Sequence, residues 1–159
     1  MILAAGRGER MRPLTDHTPK PMLTVRGKPL MQWPVEALAR GGFTDLVINT
    51  AWLGDKISDY FCCFGTSDNN SSLLNTEHSI PKIYFSHEGR DFGGALETAG
   101  GIVRALPHLG EHFWVLAGDV FAPDFVFSPL AVTQFVQSGM LAHLWLVPNP
   151  THNPKGDFA

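Results

Sequence analysis

Residues Met1–Pro21 read MILAAGRGERMRPLTDHTPKP, and the fold turns on how they are read. Met1–Ala5 is a short, continuous apolar run, the pattern of a strand buried on both faces. It runs straight into Gly6 and Gly8, with Arg7, Arg10 and Arg12 around them. A threonine- and proline-rich segment then sets Lys20 between Pro19 and Pro21. A strand that ends in a glycine-rich turn presents backbone N–H groups at the carboxyl edge of a sheet. Glycine lets that backbone approach a ligand closely and adopt dihedrals closed to other residues. Cations beside such a turn suit a polyphosphate. Spacing alone leaves two readings open, a phosphate cradle or an exposed loop with solvated charges. It excludes two named loops: Met11 stands where G-x-G-x-x-G needs its third glycine, and G-x-x-x-x-G-K-[ST] is absent.

Outward from this stretch, apolar strands alternate with helices. Leu30–Arg40 reads as a helix closed by Gly41-Gly42, with Pro34 near its first turn. Asp45–Thr50 (DLVINT) is a second strand and Leu53–Phe61 a short amphipathic helix. Residues 65–80, polar and turn-rich, read as a surface loop. Lys82–Ser86 is a third strand, Leu96–Leu106 a helix, and Phe113–Ala117 (FWVLA) a fourth strand ending at Gly118-Asp119. Ser128–Ser138 is a helix with Ser128 as N-cap and Pro129 at its first position, and Ala142–Val147 a fifth strand. This alternation predicts an α/β domain over 1–159 with a mainly parallel sheet covered on both faces. Ligands of such sheets bind at the carboxyl ends of the strands.

Composition narrows the function classes. An apolar fraction of 44% is that of a folded globular chain, and a net charge of -3 argues against a nucleic-acid partner. No apolar run approaches the ~18 residues of a membrane span, and the N-terminal run lacks the charged flank of a secretion signal. Cys62 and Cys63 are adjacent, a spacing unsuited to a disulfide or a zinc site, so free thiols and a cytoplasmic location are expected. The seven histidines show no metal-ligand spacing.

The stretch LAAGRGERMRPLTDHTPKPML (3–23) resembles the signature of the sugar-1-phosphate nucleotidyltransferases, nearly position for position. LAGDV (116–120) is similar to that family's strand ending in Gly-Asp, and LETAGGI (96–102) to its glycine-rich nucleotide-closing segment. A narrower likeness, carried by VINTAWLGDKI (47–57), LETAGGI and PNPTHNPKGDF (148–158), is to uridylyltransferases of N-acetylmuramate 1-phosphate in cell-wall recycling. The resemblance implies a three-layer, Rossmann-like nucleotidyltransferase fold. It also implies a reaction in which a sugar 1-phosphate attacks the α-phosphorus of a nucleoside triphosphate and pyrophosphate leaves. UTP is the expected nucleotide. Guanylyl- and related transferases, or a non-catalytic nucleotide-binding domain, are the alternatives.

The same resemblance implies roles. Arg10 would hold the β- and γ-phosphates, Lys20 the α-phosphate, and Asp119 the cofactor Mg2+. Leu3, Ala4, Ala5, Gly6, Arg7 and Gly8 would line the nucleotide, with Glu88 at the base edge and Gly100 in the closing segment. Glu97, Asn149 and Gly156 are the sugar-side candidates. Bland alternatives stand beside these: solvated Arg10 and Lys20, Asp119 capping a turn, Glu97 as a first-turn acid favoured by the helix dipole. Three departures from the pattern are visible. Ala117 stands where the subfamily has asparagine, EGRDFGGALE (88–97) is longer than its counterpart, and KGDFA ends the chain where the family continues. That further portion is expected to carry more strands and a second aspartate for the metal.

Overall fold

The computed structural model describes residues 1–62, 81–149, 151 and 154–156, and the loop expected over 65–80 lies outside them. The chain divides into two compact units, Met1–Pro129 and Leu130–Ala159.

The first unit holds a parallel sheet of four strands: β1 (Ile2–Ala4), β4 (Asp45–Thr50), β5 (Lys82–His87) and β6 (Leu116–Ala117), in the order β5-β4-β1-β6. A two-residue hairpin pair, β2 (Thr24–Val25) with β3 (Lys28–Pro29), stands apart from it. The helices of this unit are α1 (Gln32–Arg40), α2 (Gly54–Cys62), α3 (Glu88–Phe92) and α4 (Glu97–Ala105). Register pairs Ile2 with Ile48 on one side of β1 and with Leu116 on the other.

Period-two alternation decides which side chains meet which helix. Ile2, Ala4, Leu46 and Ile48 pack with Val35 and Leu38 of α1 and with Ile57 and Phe61 of α2. Met1 and Val47 point the opposite way and pack with Ala105 and Ile102 of α4. Helices therefore cover both faces, which is why the strands read as continuous apolar runs. The expected three-layer α/β architecture with a parallel sheet is what the unit adopts.

Two expectations are corrected and one element is added. The fourth strand shrinks to Leu116–Ala117, although Trp114 O accepts from the Met1 amine at 2.6 Å and Gly118 N donates to Leu3 O at 2.8 Å, so the ladder follows β1. Glu88–Phe92, for which the sequence pattern assigned no element, is a helix closed by Gly93 in the left-handed region. Ala142–Val147 is not a strand. Among its described residues the second unit contains α5 (Pro129–Ser138, which starts at the junction) but no strand, so this apolar run has no ladder partner among them. No helix among the described residues is long and apolar enough to cross a membrane.

Candidate active site

The strand order makes one place special. From β1 the chain steps outward to β4 and β5, then returns to the other flank of β1 with β6. The loops after β1 and β6 leave adjacent strands at the carboxyl edge, where the strand order reverses, the place at which open α/β sheets bind their ligands. A cavity of about 850 Å³ lies there, and Gly6, Arg10, Lys20, Asn49, Glu97 and Asp119 are among its lining residues. Leu3, Ala4, Ala5, Arg7 and Gly8 line it too.

The loop after β1 is built to stay open toward this cavity. Gly8 has φ +67°, and a Cβ there would stand 3.1 Å from Thr15 Cγ2 and 3.2 Å from Lys20 Cβ. Only glycine lets the loop close so tightly on the Lys20 stem without strain. Thr15 Oγ1 donates to Gly8 O at 2.9 Å, and the short helix Glu9–Met11 follows.

The arginines have different fates. Arg7 donates to Thr15 O at 2.9 Å and to Asp16 at 3.2 Å, and its guanidinium lies 3.6 Å from the Trp52 ring centroid. Arg12 donates to the same Asp16 oxygen at 2.7 Å. The Arg12 hydrogen bond, reinforced by Arg7, holds the Asp16 carboxyl below its ordinary range. Arg10 is exposed, lines the cavity and has no ion-pair partner among the described residues.

Lys20 Nζ donates to Asp119 Oδ2 at 2.6 Å, joining the loop after β1 to the loop after β6. Gly118 permits this approach, because a Cβ there would meet Ile2 Cγ2 and Met31 Sδ at 3.1 Å. The cation and the carboxylate expected to face one substrate therefore stand together, each about one-third exposed. No group of three or more acidic, histidine or cysteine ligands gathers among the described residues.

The remaining candidates are spread out. Glu97 opens α4 with φ +60°, a sparsely populated conformation for glutamate, and lines the cavity with Ala95 and Thr98. Gly100 lies one turn into α4, facing the Leu96 side chain. Glu88 is fully buried and is not among the cavity's lining residues. Its Oε1 accepts from Asn49 Nδ2 and its Oε2 from Leu96 N, both at 2.7 Å. Asn149 and Gly156 belong to the second unit, where Asn149 donates to Pro154 O at 3.1 Å. Asn49 itself is the lining residue that sequence reasoning passed over. A polar residue at the end of the otherwise apolar LVI run was the signal available.

The family description "Nucleotidyl transferase" matches residues 1–156. The chain belongs to the nucleotidyl transferase family. It is 47% identical, over its whole length, to N-acetylmuramate alpha-1-phosphate uridylyltransferase of Neisseria meningitidis, of which it spans 63%. An enzyme of the same name from Caulobacter vibrioides is 34% identical over 70% of this chain and 40% of its own. Among solved structures, apo UDP-glucose pyrophosphorylase superposes on 86% of this chain and 54% of its own with a TM-score of 0.64 at 21% identity, a likeness of fold.

Proposed function

We propose that this nucleotidyltransferase joins UTP to N-acetylmuramate 1-phosphate, releasing pyrophosphate and forming the UDP-sugar. The observation that carries the proposal is the Lys20–Asp119 pair in a cavity walled by the glycine loop. The activity for which the Neisseria relative is named supports the choice of substrates.

The chemistry asks for charge and position. The sugar phosphate is already ionised, so its oxygen attacks the α-phosphorus without a general base. The α-phosphorus to pyrophosphate bond breaks as the new bond forms, and the departing group carries added negative charge. Arg10 meets the β- and γ-phosphates and stabilises that leaving group. Lys20 meets the α-phosphate, where negative charge concentrates. Backbone N–H groups between Ala5 and Gly8 complete the cradle.

Asp119 fits Mg2+ in the way this ion is normally held: one protein carboxylate, with phosphate oxygens and water supplying the rest. Bound there, the ion would supply charge to the phosphates. Lys20 must then leave Asp119 for the α-phosphate. The free Cys62 thiol accords with a cytoplasmic setting.

Pyrophosphate release with UTP, Mg2+ and the sugar phosphate tests the reading. Lys20→Ala should lower turnover by at least ~100-fold, as expected when one preorganised charge contact to the transition state is lost, while leaving the melting transition cooperative. Undiminished turnover would remove Lys20, and with it this mechanism.

A further inference from the structure

Behind the cavity runs an unbroken chain of hydrogen bonds, buried at Asn49 and Glu88 and partly buried at Leu96. Ala4 N donates to Asn49 Oδ1 at 2.9 Å, Asn49 Nδ2 donates to Glu88 Oε1 at 2.7 Å, and Leu96 N donates to Glu88 Oε2 at 2.7 Å. Its two ends are the two walls of the cavity: Ala4 at the start of the glycine loop, and Leu96 beside Ala95, Glu97 and Thr98. Asn49 is 2% exposed and Glu88 fully buried. Gly101 brings α4 against the chain, since a Cβ there would stand 2.7 Å from both Asn49 Nδ2 and Glu88 Oε1.

From this geometry we infer that Asn49 and Glu88 are positioning residues. They hold the glycine loop and the start of α4 at one spacing and so set the width of the nucleotide cleft. The inference rests on the cavity being the nucleotide site proposed above.

The chain has a fixed polarity. Both ends are backbone N–H groups, which can only donate, so the Asn49 oxygen must face Ala4 and its amide nitrogen must face Glu88. Both glutamate oxygens must then accept. Glu88→Gln sets an NH2 group against another donor, and turning the Asn49 amide only moves the clash to Ala4. Asn49→Asp sets two carboxylates against each other in a buried site. Combined, the two changes reverse the central bond. The carboxylate at position 49 accepts from Ala4 N–H and from the amide at position 88, whose oxygen accepts from Leu96 N–H. Every bond is restored with shape and net charge unchanged.

The test is UTP affinity in Mg2+ by calorimetry, with amide exchange at Ala4 and Leu96, on the wild type, each single variant and the double variant. Each single variant should bind UTP at least about tenfold more weakly. Glu88→Gln should also speed exchange at Ala4, which Glu88 does not touch. The double variant should recover most of the affinity and the protection. Single variants that bind as the wild type does, or a folded double variant no better than the singles, would overturn the inference. Should a single variant fail to fold, the double variant alone decides by the same criterion. Absence of UTP binding by the wild type would refute the proposed function instead. The exchange data then decide the present point: loss of Ala4 protection in Glu88→Gln and its return in the double variant support it, and unchanged exchange overturns it.

Discussion

Arg7 and Arg12 converge on Asp16, and this small cluster explains why so much positive charge follows the first strand. Individually such exposed pairs are worth little. Together with the Arg7–Trp52 stacking and the Trp52 Nε1 donation to Thr15 O at 3.0 Å, they pin the loop from behind. Arg10 is left to face the cavity. A pH dependence follows. The folded Asp16 carboxyl titrates below its model-peptide value of 3.8, so the folded chain binds fewer protons than the unfolded chain in that region. Its contribution to stability is complete above pH 3.8 and disappears as pH falls through the lower folded value. Asp16→Asn should lower stability at neutral pH and flatten the acid limb below about pH 4, read by urea melts across pH. An unchanged acid limb would show that Asp16 does not anchor the loop. The basic character of this loop was legible in the sequence. That Arg7 and Arg12 are tied to Asp16, Arg7 while also lining the cavity, and that Arg10 is left without such a partner was not, because it depends on Trp52 and Asp16 reaching back from later in the chain.

At the level of elements, the start of α4 decides the shape of the site. Glycine in a helix interior is normally improved by alanine, by up to ~1 kcal/mol. Gly101→Ala should do the opposite. The new methyl meets two polar atoms held in a buried network, not the loose end of a side chain. Overpacking of this kind costs about 1–3 kcal/mol, enough to outweigh the propensity gain. A denaturant midpoint that rises in this variant would contradict the packing described here. The same element shows the reach and the limit of sequence reading. Asp45–Thr50 was legible to the residue, because its apolar run is closed by clear turn signals. The burial of Glu88 was hidden, since a glutamate after a strand reads as solvated until Asn49, 39 residues away, and Leu96 are seen to satisfy both oxygens. Ala142–Val147 failed for a related reason: a strand needs a neighbour, and apolar character alone does not supply one.

On the scale of the whole molecule, the parallel sheet and its strand order explain why chemistry gathers where it does. β1 is central, and the loop that follows it meets the loop after β6 at the reversal of strand order. Lys20 and Asp119, 99 residues apart, come within 2.6 Å there. Those residues, the glycine loop and the start of α4 all belong to Met1–Pro129, so the groups proposed to face the nucleotide are assembled within one unit. Because the chain spans 63% of the Neisseria enzyme, nucleotide binding is the property that tests this assembly most directly. The decisive measurement is calorimetric titration of the protein, in Mg2+, with UTP, dTTP, CTP, GTP and ATP in turn. The account predicts saturable one-to-one binding with UTP preferred, weakened by Lys20→Ala. Preference for another base would keep the cavity's role and change the substrate. Failure to bind any nucleoside triphosphate would contradict the account.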